Sequence, residues 1–147
     1  MSTITVTRSI NAPIDVVFRT VAHINEFSQA VPHIVNVEFL TEQHTGAGTR
    51  FRETRLMHGK EAVTELEVTE YVENDHVRIV TDSHGAVWDT IFTVSSNGGP
   101  TELTMVMESR PYKLAAKVMN PLIGGMIRKA VEKDMDLVQE YCETQGD

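Results

Sequence analysis

Hydrophobic and polar positions alternate from residue 3 to residue 10 in TITVTRSI, with β-branched side chains at most of them. A period of two predicts a first strand over roughly 3–10. The period then changes. In NAPIDVVFRTVAHI, Ile14, Val17, Phe18 and Val21 recur at helical spacing, with Pro13 suited to a first helical position and Asp15 to the positive helix start. NEFSQAVP predicts a second, shorter helix that stops before Pro32, because the residue preceding a proline avoids helical angles.

Strand patterning fills the middle of the chain. HIVNVEFL is one segment, closed by the glycine-containing TEQHTGAGT. TRFRETRLM and EAVTELEVTEYV flank His58-Gly59-Lys60, and HVRIVTDS and AVWDTIFTVS flank His84-Gly85, both hairpin signals. NGGP then leads to a last strand, TELTMVMES. About seven strands joined by short turns imply an antiparallel sheet. From RPYKLAAKVMNPL to YCETQ the period is helical again for about thirty residues. Leu122, Met126, Ala130, Leu137 and Tyr141 are assigned to the buried stripe, and Lys129, Glu132, Lys133 and Asp136 to the rest. Pro121 and Gly124-Gly125 are expected to bend or interrupt this helix near its start, and the segment from Pro111 to Gly125 to act as a movable lid. The order predicts an α+β fold: a curved antiparallel sheet around a long C-terminal helix, with two short helices after the first strand.

Hairpin arithmetic divides the strands into faces. With a two-residue turn after Met57 or after His58, Phe51, Glu53, Arg55 and Met57 share a face with Ala62, Thr64, Leu66 and Val68. The other face carries Arg50, Arg52 and Thr54 against Glu61, Glu65 and Glu67, a mostly charged, charge-complementary surface suited to water. The same reasoning puts Val77, Ile79 and Thr81 with Trp88, Thr90 and Phe92; in the last strand Leu103, Met105, Met107 and Ser109 make the apolar-leaning set. This inner face is apolar and rich in aromatic and methionine side chains, except at Glu53 and Arg55. Two positions apart on one strand, about 7 Å, these two can meet. An isolated buried charge is very costly, so each needs a partner.

The 147 residues, 41% hydrophobic, suffice for one domain over 1–147 with its own core. A formal net charge of −8 disfavours nucleic acid and anionic membrane surfaces. No apolar run approaches the roughly 20 residues of a membrane span, and the first ten residues lack a signal-peptide pattern. With a single cysteine, Cys142, assigned as a packed or surface thiol, a cytoplasmic setting is expected. The six histidines show no metal-ligand spacing, no nucleophile elbow or phosphate loop is present, and no cofactor is expected. Asp134 and Asp136 are read as solvated helix charges.

This element order, together with NAPIDVVFRTVAHINEFSQAVP, HTGAGTRFRE and DLVQEYCE, resembles the START-like, or SRPBCC, superfamily of Bet v1-like helix-grip domains, and within it the polyketide cyclase/dehydrase and lipid-transport group. The resemblance implies a hydrophobic small molecule held between sheet and long helix. Members of such families bind or carry lipids, cyclise or dehydrate polyketides, or act as hormone receptors or co-chaperones. The inner face supplies the expected ligand contacts: Phe51, Glu53, Arg55, Met57 and Leu66, then Thr81, Trp88, Thr90 and Phe92. Met105 and Met107 extend that wall, and Val118, Leu122 and Met126 are expected to close it from the helical side. Arg55 would bind a ligand carboxylate, enolate or carbonyl, with Glu53 holding the guanidinium. The alternatives are a cyclase or dehydratase in which Glu53 serves as general acid or base, and a protein-interaction module with a vestigial cavity. Self-association into a homodimer is left open.

Overall fold

The computed structural model describes residues 2–83, 85–113 and 121–145, with no account of the side chains at 121–123. The elements follow in the expected order: β1 (Ser2–Ile10), α1 (Ile14–Ala22), α2 (Ile24–Ala30), β2 (Ile34–Phe39), β3 (Arg50–Met57), β4 (Lys60–Val72), β5 (His76–Ser83), β6 (Ala86–Ser96), β7 (Thr101–Pro111) and α3 (Pro121–Gln145). Pro13 sits at the cap of α1 rather than inside it, with extended angles. α2 ends at Ala30, and Val31, held non-helical by Pro32, carries the chain towards β2.

The strands form one antiparallel sheet in the order β1-β7-β6-β5-β4-β3-β2. Its registers keep the faces that the hairpin arithmetic assigned, and place the β3–β4 turn at His58-Gly59. Phe51 pairs with Leu66, Glu53 with Thr64 and Arg55 with Ala62. Val77 pairs with Phe92, Ile79 with Thr90 and Thr81 with Trp88. His58 and Gly59 both take positive φ, at 51° and 78°, as a tight two-residue turn between right-twisted strands requires. Two irregularities had no local signal, one between Ile34 and Asn36 on β2 and one between Val68 and Glu70 on β4. Both increase the bending of the sheet.

Helix α3 corrects two expectations. It begins at Pro121 and runs to Gln145 with no break at Gly124-Gly125, so the expected interruption is absent at the glycines. Its buried stripe is Val131, Met135, Val138 and Cys142, whereas Met126 is 58% exposed and Leu137 and Tyr141 are only partly covered. The expected stripe is thus rotated around the helix, because Val131, Met135 and Val138 continue down to Cys142 at steps of four, three and four residues. Cys142 is a packed thiol beside the Thr20 hydroxyl at 3.4 Å. The helix is tied to β1 by Arg8–Asp136 at 2.8 Å and by Gln139 donating to the Ser9 carbonyl at 3.0 Å. The expected lid, Pro111 to Gly125, falls largely on 114–120, outside the described residues.

Candidate functional site

Cross-strand pairing arranges the inner face in rows. One row runs from Val77 through Phe92 and Met105 to Val6, and all four are buried beneath α1, α2 and α3. Phe27 of α2 meets the Phe92 ring with centroids 6.2 Å apart. The adjacent row, Ile79, Thr90, Met107 and Ile4, is only partly covered. So are Leu66, Thr81 and Trp88 beyond it. One continuous apolar face is therefore buried core at the α1 end and only partly covered at the other. Buried apolar side chains each contribute about 1.5–3 kcal/mol, so a row left half-covered forgoes stability that close packing would supply.

Where the first turns of α3 cross this second region, Gly124 and Ile127 face Trp88, Met107 and Ser109 across a cavity of about 70 Å³. It is apolar apart from hydroxyls, and the Trp88 indole N–H is occupied by the Ser83 carbonyl at 3.3 Å. A wider groove of about 270 Å³ lies outside the sheet–helix space, between Ala30, Pro32, Leu137 and Tyr141, and is open at the surface.

Beside the half-covered rows stands a charged cluster. Arg55 Nε donates to Glu53 Oε1 at 2.8 Å, and Arg55 Nη1 donates to Asp134 Oδ2 of α3 at 2.8 Å. His33, between α2 and β2, places its Nε2 3.2 Å from Arg55 Nη1 and 3.3 Å from Asp134 Oδ1. The side chains are largely buried, with 9% of Glu53, 16% of Asp134 and 22% of Arg55 exposed. Burial opposes the charge on Arg55, but Glu53 and Asp134 outweigh it and hold its pKa above the ordinary value. Asp134 Oδ1 is buried and accepts no hydrogen bond among the described residues. Asp134 is therefore not a solvated helix charge, as its sequence context suggested; it occupies the inner stripe one turn ahead of Val138.

The residues expected at the site fall into distinct places. Leu66, Thr81, Trp88, Thr90 and Met107 form the half-covered wall, with Glu53 and Arg55 beside it. Phe92 and Met105 belong to the packed row, and Phe51 is buried against Phe39, whose ring stacks on His44. Met57 is 44% exposed at the tip of the β3–β4 hairpin, and Met126 turns away from the sheet, so neither is enclosed. Val118 and the side chain of Leu122 lie outside the described residues. His33 and Asp134 were missed. Asp134 had one available signal, its position three residues after Val131 on the true inner stripe.

Comparison with known proteins agrees with this architecture. A family model described as polyketide cyclase / dehydrase and lipid transport matches residues 1–143. No curated protein matches. Among solved structures, a Thermus thermophilus protein is similar at TM-score 0.80 and 15% identity, covering 99% of this chain and 100% of that one. Ginseng major latex-like protein 151 from Panax ginseng is similar at TM-score 0.78 and 12% identity, covering 99% and 97%. The di-domain ARO/CYC BexL is similar at TM-score 0.77 and 14% identity, covering 99% of this chain and 50% of BexL. At such identities these likenesses establish the fold alone. The match along 143 residues, on a seven-stranded sheet gripping one long helix, makes this chain a member of the polyketide cyclase/dehydrase and lipid-transport family, within the START-like, or SRPBCC, helix-grip superfamily.

Proposed function

We propose that this protein binds a hydrophobic or amphipathic small molecule between the inner face of the sheet and the first turns of α3. The observation that carries the reading is the gradient along one face, from the buried row of Val77, Phe92 and Met105 to the half-covered Ile79, Thr90 and Met107. A protein-interaction module with a vestigial cavity would gain stability by packing both rows alike. Ligand pockets are typically a few hundred Å³, and the present cavity is about 70 Å³. Binding therefore requires α3 to move away from Trp88 around Gly124 and Ile127.

Family membership also supports an enzyme of the cyclase or dehydratase kind, with Glu53 as the inner-wall acid or base. Its engagement by Arg55 at 2.8 Å favours a binding role over proton transfer. Native mass spectrometry of freshly purified protein, compared with the denatured mass, tests the reading through any retained ligand. An environment-sensitive apolar dye is expected to bind, quench Trp88 and raise the melting temperature. Failure to bind across a chemically broad hydrophobic panel would overturn the proposal.

A further inference from the structure

Arg55 is the cation that the described residues place on this inner wall, and an anionic ligand head group would be its obvious partner. Its charge is already more than balanced. Two carboxylates, Glu53 and Asp134, contact one guanidinium, each at 2.8 Å. Arg55, Glu53 and Asp134 together carry one negative charge in excess. One oxygen of that excess, Asp134 Oδ1, is buried and makes no hydrogen bond among the described residues, with His33 Nε2 3.3 Å away. A third carboxylate brought to Arg55 would meet like charges in a partly desolvated setting, where opposition is strong.

The cluster nevertheless retains hydrogen-bonding capacity. The bonds of Arg55 leave through Nε and Nη1, so Nη2 has no hydrogen-bond partner among the described residues. A guanidinium N–H donates as well to a neutral carbonyl or hydroxyl oxygen as its geometry allows. A ligand hydroxyl could also donate to Asp134 Oδ1, which makes no hydrogen bond among the described residues. We infer that the site selects hydrophobic ligands whose polar end is an uncharged hydroxyl or carbonyl group, and discriminates against carboxylates. The inference rests on the binding reading above and narrows it to one ligand class.

Dodecanol and dodecanoate, equal in chain length and different in head-group charge, test it by displacement of a bound apolar dye at about pH 8. Dodecanol is expected to bind the wild-type protein about ten-fold more tightly or better. Because the two compounds also differ in intrinsic hydrophobicity, the decisive reading is how the ratio changes on removal of a carboxylate. Asp134→Asn should shift the ratio towards dodecanoate by about five-fold or more, and Glu53→Gln should act in the same direction if the first variant folds poorly. An unchanged ratio in a folded variant, or dodecanoate binding the wild type as tightly as dodecanol, overturns the selectivity and leaves the binding reading standing. Binding of neither compound, nor of the dye, overturns both.

Discussion

Arg55 shows how a residue in an ordinary strand can hold two distant elements together. Its partner Glu53 is two residues away, but Asp134 is 79 residues away on α3. Arg55→Leu would strand two largely buried carboxylates, and unfolding by urea should show a loss of about 3 kcal/mol or more. That magnitude separates the cluster from the exposed pairs on the outer face, such as Arg52–Glu38 at 3.2 Å, where Arg52→Ala should cost less than about 1 kcal/mol. The outer face also carries a titrating contact. His76 lies between Asp75 at 2.7 Å and Glu70 at 3.1 Å, and these carboxylates raise its pKa. A raised folded-state pKa means that the charged imidazole adds stability below its unfolded value, about 6.5, and that this addition is lost as pH rises through the higher folded value. The stability difference between the wild type and His76→Gln should therefore shrink as the pH is raised through and above neutrality. A constant difference would contradict the assignment.

At the scale of elements, the two glycine contexts behave oppositely. Gly124 and Gly125 lie within the continuous helix α3, and an added methyl at either position would meet nothing within 4 Å. Replacing both with alanine should stabilise the protein by about 1 kcal/mol each, read from denaturant midpoints. If α3 must shift around Gly124 to admit a ligand, the same variant should also slow dye exchange. Gly85 is different. It has φ of 80°, and a methyl there would approach Lys113 Cβ to 2.8 Å, where the Gly85 carbonyl also accepts the Tyr112 and Lys113 amides. Gly85→Ala should destabilise by about 1 kcal/mol or more, detectable as a lower melting temperature.

Across the whole molecule, the unequal packing of the sheet's inner face couples binding to stability. A ligand that fills the space between Trp88 and α3 supplies contacts that the free protein lacks there. At a concentration 100 times its dissociation constant it should add about 2.7 kcal/mol, with the melting temperature rising further as ligand is added. Near-UV circular dichroism of Trp88 should change along with it. A thermal shift without any Trp88 response would place the ligand elsewhere, with the open groove beside Tyr141 the next candidate.

The strands and the division into inner and outer faces were legible in the sequence because each is set over short distances. Side-chain alternation and a two-residue turn fix which residues of a hairpin share a face, while the exact pairing of Phe51 with Leu66 came from the placement of the turn at His58-Gly59. The inward placement of Glu53 and Arg55 came from the same arithmetic. The rotation of α3 about its axis did not, because two overlapping apolar stripes run along that helix and only its crossing over β1, α1 and α2 chooses Val131, Met135 and Val138. That choice also turns Asp134 inward and Met126 outward. The irregularities in β2 and β4 and the contact of Asp134 with Arg55 likewise depend on how a bent sheet meets a helix far along the chain. Alternation along the strands thus prescribed a charged inner wall, and the packing of the helix on the sheet supplied the partner that balances it.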